Sequence, residues 1–169
     1  MSEDLPVCME ILHHELKCVN ACWMPGATRQ SLALLGSANL YVRGIIDRVP
    51  GDVDVMVSKR VWGDLLARPR WHWETPDAGN PPMLVAPLAF GIKASLFMDW
   101  KDDYVAIDIP QCLAQAEPVE WEGNIWPCVS PMEVRRHKLA AITYPLNSKR
   151  EIHLKDIRAI EDFVASVKL

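Results

Sequence analysis

Leu32-Ala33-Leu34-Leu35-Gly36-Ser37-Ala38-Asn39-Leu40-Tyr41-Val42 and, after a loop, Arg48-Val49-Pro50-Gly51-Asp52-Val53-Asp54-Val55-Met56-Val57 are the segments that decide the fold. Ser31 to Leu35 is short and almost wholly apolar, as a buried strand is, and Gly36 stops it with a tight turn. A helix is expected from that turn through about Gly44. Asp52 to Val57 opens with alternating Asp and Val, the period-two pattern of a second strand, and Ser58 can cap a helix running to about Ala67. On the second strand Asp52 and Asp54 point to one face about 7 Å apart along the backbone, so two carboxylates can grip metal ions jointly. Two-metal phosphoryl-transfer sites hold their ions about 3.5 to 4 Å apart. Upstream, Gly36 and Ser37 offer backbone N–H groups and a hydroxyl to a phosphate.

Working outward, Pro6 to Val19 carries Cys8, Met9, Leu12, Leu16 and Val19 at helical spacing. Arg68 to Pro82 holds four prolines and reads as a long irregular arm. Met83 to Val85, Gly91 to Met98 and Tyr104 to Ile109 read as strands, with Lys101-Asp102-Asp103 turning between the last two. Val119 to Trp121 and Ile125 to Val129 flank Glu122-Gly123-Asn124, a hairpin signal. Ser130-Pro131-Met132-Glu133 is a capping box with proline at the first helical position. Two closing helices are expected, Pro131 to Thr143 and about Glu151 to Val167, separated by Pro145-Leu146-Asn147.

The chain has 169 residues, half of them apolar. That suits a single domain over 1–169 with its C-terminal helical part at about 130–169. Five cysteines without a C-x-x-C pair argue against a disulfide framework. The N-terminus lacks the features of a signal peptide and no apolar run reaches membrane-spanning length, so a cytoplasmic protein with no membrane partner is expected. The net charge of −4 excludes a generally basic nucleic-acid binder. From Ser130 onward, however, eight Lys or Arg stand against five Asp or Glu, while the first 129 residues carry ten against seventeen. An acidic body beside a basic C-terminal part suits a cleft that holds a cation and a phosphate together.

Gly36-Ser37 followed by Asp52-x-Asp54, with fifteen residues between Gly36 and Asp52 and with Arg48 among them, resembles the signature of the nucleotidyltransferase superfamily. There Gly-Ser or Gly-Gly opens a helix and R-x-T-x-D-x-D follows; Pro50 stands here at the Thr or Ser position. Further on, Ser130-Pro131, Lys138-Leu139-Ala140-Ala141 and Arg150-Glu151-Ile152-His153-Leu154-Lys155-Asp156-Ile157 resemble bacterial nucleotidyltransferases of abortive-infection and toxin-antitoxin type. The likeness runs from about Ser31 to Phe163. It implies an α+β, polymerase β-like nucleotidyltransferase fold: a mixed sheet flanked by helices, with two C-terminal helices. It also implies Mg²⁺ or Mn²⁺ on Asp52 and Asp54, an NTP bound through Gly36, Ser37, Arg48 and Lys138, and transfer of a nucleoside monophosphate to an acceptor, RNA or protein among the possibilities. His153 and Arg150 are further candidates for phosphate contact from the last helix.

The family's third carboxylate stands on the strand after the D-x-D unit, and in Ile92-Lys93-Ala94-Ser95-Leu96-Phe97 that place falls to Ser95. Asp108, flanked by Ile107 and Ile109, is the expected replacement, because a carboxylate between apolar strand neighbours needs a metal or a partner. Asp99 can serve only if the strand register differs. Ser95 and Pro50 motivate a second expectation: a weakened or inactive member that binds a nucleotide or a protein or RNA partner, as a toxin-antitoxin component would.

Overall fold

The computed structural model describes residues 4–74, 82–98, 100–101, 106–143 and 148–167. In chain order the elements are α1 (Asp4–Lys17), β1 (Leu32–Leu35), α2 (Gly36–Val42), β2 (Asp52–Val57), α3 (Lys59–Leu66), β3 (His72–Glu74), β4 (Met83–Pro87), β5 (Lys93–Phe97), β6 (Trp100–Lys101), β7 (Ala106–Ile107), α4 (Ile109–Ala114), β8 (Glu117–Trp121), β9 (Asn124–Cys128), α5 (Pro131–Ala141) and α6 (Arg150–Val167). Seven strands form one mixed sheet in the order β3-β4-β5-β2-β1-β9-β8, and β6 pairs with β7 apart from it. β1 runs antiparallel to β2 and parallel to β9, and β2 runs parallel to β5. The expected α+β architecture, a mixed sheet with helices on its faces and two C-terminal helices, is the one observed.

Strand alternation sorts the sheet into two faces. Val53, Val55 and Val57 of β2, with Leu32, Leu34, Leu84, Ala94 and Leu96, face α1 and α3; Leu5, Met9, Leu12, Leu16, Val61 and Leu65 complete that core. Each fully buried valine, leucine or methionine among them contributes about 1.5 to 3 kcal/mol of burial. The other face carries Ala33, Leu35, Met56 and Phe97 and packs on Leu113 of α4, Val134 of α5 and Ile160 of α6. Asp52 and Asp54 share the parity of Met56 and lie on this second face, at the β2 end left open to solvent.

Local signals explain most boundaries. Ser58 accepts from the Val61 N–H and caps α3, and Ser130 accepts from the Glu133 N–H and caps α5. Glu133 turns instead to Arg136, so the reciprocal half of the capping box is not made. Glu122 and Gly123 both lie at positive φ, 48° and 73°, the demand of a tight two-residue hairpin turn between β8 and β9.

Two expectations need correcting. The arm after Arg68 contains β3, which pairs with β4 through Trp73↔Leu84, while Trp71 is buried and donates to Glu15 at 2.8 Å. Of the segment read as a strand from Tyr104 to Ile109, Tyr104 and Val105 lie outside the described residues, Ala106–Ile107 form β7, and Ile109 already opens helix α4. Pro145-Leu146-Asn147 and the turn at Asp102-Asp103 lie outside the described residues, as does Asp99.

Candidate functional site

The site is built where β1 hands over to α2 beside the first residues of β2. Leu35 pairs with Asp54, so Gly36 begins α2 directly against that carboxylate. A Cβ placed on Gly36 would stand 2.7 Å from Asp54 Oδ2, and the residue has φ of +63°. Glycine is therefore required twice, by conformation and by space. Asp54 is next to Asp52 and partly withdrawn from water. Burial, then the negative charge of Asp52, push its carboxyl up to about 7, against the pull of Lys149, Lys138 and Lys93. Asp52 is more exposed and meets the Lys149 ammonium at 3.3 Å.

Beside the aspartates stands a second, more buried group. Asp156 of α6, its side chain 2% exposed, receives Arg48 as a fork, Nε to Oδ1 at 3.2 Å and Nη2 to Oδ2 at 2.5 Å. Lys138 of α5, 6% exposed, meets the same Oδ2 at 2.7 Å. The Ser37 hydroxyl closes the ring, accepting from Arg48 at 2.8 Å and from Lys138 at 3.3 Å and donating to Asp156 at 3.3 Å. Burial raises the Asp156 carboxyl, but the hydrogen bonds from Arg48 and Lys138 outweigh it and hold the group below the ordinary carboxylate value. Burial in turn pulls the Lys138 ammonium down, with Asp156 opposing. His153, one helical turn before Asp156, is lowered to about 4, first by burial and then by Lys138, and its Nδ1 is buried without a hydrogen-bond partner. It is a neutral imidazole at physiological pH.

Gly36, Ser37, Arg48, Asp52, Asp54 and Lys138, all singled out in the sequence, are thus brought into one cluster by the end of β1, α2, the loop after it, β2 and α5. Arg150 is not: it donates to the Ile142 carbonyl at 2.7 Å and closes the end of α5. Asp108 is not brought into that cluster either. It stands one residue past β7, exposed, as the N-cap of α4, accepting from the Gln111 N–H at 2.9 Å. It lines a separate cavity of about 360 Å³ with Gln111, Cys112, Ser130, Glu133 and Arg136. The strand that would have aimed it at the sheet does not extend to it, so its carboxylate serves a helix end.

The β2–β5 register decides the third position. Asp54 pairs with Ser95 and Asp52 with Lys93, side by side on the same face. Ser95, 3% exposed, occupies the place expected for a third carboxylate. Among the described residues no group of three or more His, Cys, Asp or Glu is arranged to hold a metal ion. Asp52 and Asp54 still fit one small divalent ion. The Asp54 carboxylate is seated in the space kept clear by Gly36, and Mg²⁺ characteristically takes one or two carboxylates and completes its shell with phosphate and water.

Sequence reasoning gave Asp156 and Lys149 no role. Asp156 had a signal: it lies one helical turn after His153, just before Ile157 and Ile160 on the buried stripe of α6, where an aspartate needs partners. Lys149 had none, since it precedes α6 and reaches Asp52 only through the tertiary fold.

No protein-family model and no curated protein matches the sequence. Solved structures do. The crystal structure of ANT(2″)-Ia in complex with adenylyl-2″-tobramycin superposes with a TM-score of 0.57 at 12% identity over 95% of this chain and 89% of that one. The solution structure of the same antibiotic-resistance factor gives 0.56 at 15% identity, over 95% and 84%. An antigenic nucleotidyltransferase-like protein from Paracoccidioides brasiliensis gives 0.52 at 18% identity, over 92% and 73%. No helix among the described residues is long and apolar enough to cross a membrane. With β1–turn–α2, the D-x-D strand and the two closing helices in the corresponding topology, the chain has the polymerase β-like nucleotidyltransferase fold.

Proposed function

We propose that this chain binds a nucleoside triphosphate in the cleft between β2 and α5, and that nucleotidyl transfer from it is weak or lost. Gly36 keeps the backbone close to the phosphates, Ser37 orients Arg48 and Lys138, and those two cations supply the positive charge for the phosphate chain. Asp52 and Asp54 would hold Mg²⁺ or Mn²⁺, which neutralises phosphate charge when bound. The observation that carries this reading is the Asp54↔Ser95 pairing, which puts a neutral hydroxyl where an anionic ligand would complete a two-metal set. Oxygen from an uncharged serine is a poor ligand for a hard divalent ion, so a second metal is held weakly.

A second reading, active transfer of a nucleoside monophosphate to an acceptor, draws on the overlap with ANT(2″)-Ia, which was crystallised with an adenylylated tobramycin. RNA, protein and small molecules all remain candidate acceptors on that reading.

Equilibrium dialysis with each labelled NTP, in parallel with release of labelled pyrophosphate in Mg²⁺ and Mn²⁺, separates the two. Binding that the Asp52→Ala plus Asp54→Ala variant alters, with little or no turnover, supports the first reading. Turnover should then appear or rise in Ser95→Asp. Robust transfer by the unaltered chain would replace the first reading with the second, and no nucleotide binding at all would sink both.

A further inference from the structure

The carboxylate pair of this site already holds a cation, and that cation belongs to the chain. Lys149 Nζ stands 3.3 Å from Asp52 Oδ2. Lys93 is the register partner of Asp52 on β5. Arg48 and Lys138 converge on Asp156 next door. Lys93 also reaches Glu74 Oε2 at 3.9 Å, so four cationic side chains stand against four carboxylates. A site built to collect two divalent ions instead carries an excess of carboxylate that only metal relieves. Here the carboxylate expected on β5 is Ser95, and an ammonium fills the charge position beside Asp52. The two replacements act in the same direction, one removing a negative ligand and the other adding a positive group.

On the basis of the nucleotide reading above, we propose that Lys149 takes the place of one of the two cations, so that a triphosphate binds this cleft without an obligatory divalent ion. The lysine neutralises Asp52, which would otherwise repel the phosphates. Its side chain is 60% exposed, so the ammonium can pivot from the carboxylate toward an entering phosphate oxygen while remaining between the two. Lysine suits this duty because its ammonium is a compact point charge on a flexible stem.

The test is calorimetric titration of the full chain with ATP, GTP, CTP, UTP and inorganic tripolyphosphate, in excess EDTA and in Mg²⁺, for the unaltered protein, Lys149→Met and Lys149→Arg. An NTP should bind in EDTA within about fivefold of its affinity in Mg²⁺, and Lys149→Met should lose about tenfold or more in EDTA, on the scale of one charge-assisted contact. In Mg²⁺ the same variant should lose less than about threefold, because the metal replaces the missing charge. Lys149→Arg should retain binding in EDTA. Thermal melting of the variants checks that the exposed substitution leaves the fold intact. Binding that collapses in EDTA for the unaltered chain, or an equal loss in both buffers for Lys149→Met, overturns the inference and leaves the nucleotide reading standing. Absence of NTP binding in both buffers overturns the nucleotide reading itself.

Discussion

Asp54→Asn should stabilise the ligand-free protein at alkaline pH while weakening its metal binding. The Asp54 carboxyl is moved from an ordinary 3.8 up to about 7, chiefly by burial and secondarily by Asp52. Between those values the folded chain holds a proton that the unfolded chain has released, so stability falls as the pH rises through the window. The penalty is absent below about pH 4 and complete above about pH 7. A displacement of that size corresponds to about 4 kcal/mol as a ceiling. Partial solvent exposure of the residue and screening by salt lower the working figure to about 2 kcal/mol. Asparagine cannot ionise and keeps the shape, so the variant escapes the penalty. Urea unfolding at pH 5 and pH 8 reads it directly: at pH 8 the variant's midpoint should lie about 1 M above the parent's, taking a slope of about 2 kcal/mol/M, and at pH 5 the gap should shrink. Adding Mg²⁺ at pH 8 should stabilise the parent and leave the variant unmoved. A gap of the same size at both pH values, or a variant less stable at pH 8, would refute the claim that Asp54 is held charged at a cost to the fold.

Gly36→Ala should lose about 1 to 2 kcal/mol in urea unfolding from its positive φ alone, and the new methyl must push the Asp54 carboxylate aside, so NTP affinity by calorimetry should fall about tenfold. Asp156→Asn leaves the buried Lys138 ammonium and Arg48 around a neutral amide and should cost about 3 kcal/mol, whereas adding Lys138→Met should restore part of it, with a coupling of at least about 1 kcal/mol in a double-mutant cycle; strictly additive losses would dissolve the network. Because Asp156 is held below the ordinary carboxylate value, its contribution is present at neutral pH and lost as the pH falls through the folded value, and the acid limb of the unfolding curve should flatten in Asp156→Asn.

The fold was legible in the sequence wherever a local rule and the tertiary environment asked for the same thing. Ser31 to Leu35, the D-x-D strand, Ser58 and Ser130 are cases where apolar run, alternation or capping chemistry sufficed. Misreadings came where two rules competed. Val105 to Ile109 alternates like a strand, yet Asp108-Ile109-Pro110 is also a helix start, with aspartate at the cap and proline in the first turn, and the cap prevailed. The Arg68 to Pro82 arm looked irregular because of its prolines, although His72-Trp73-Glu74 is a proline-free triplet that pairs at the sheet edge. In the site, residues on one segment could be grouped by spacing, but Asp156 and Ser37 are 119 positions apart and meet only because α5 packs against both α2 and α6. The Ser95 position was legible because a strand of apolar residues leaves few possible registers.

Burial then divides the work among the three residues that ring Asp156. The Ser37 hydroxyl is fully used, with its one hydrogen given to Asp156 and two cations donating to its oxygen. It cannot take a phosphate without surrendering a partner inside the cluster. Lys138 is 6% exposed and Asp156 2%, so neither offers a surface to an entering ligand. Arg48 is the exception, with 34% of its side chain exposed while its fork remains anchored. A guanidinium has five N–H donors, and the two bonds to Asp156 and one to Ser37 leave others to point outward. On the nucleotide reading proposed above, the direct phosphate contact would fall to Arg48, with Lys138 adding charge from behind it and Ser37 and Asp156 fixing the direction in which the guanidinium is presented. On that same reading an arginine suits the position before the D-x-D unit better than a lysine: a lysine there could pair with Asp156 or meet a phosphate, whereas the planar fork can do both at once.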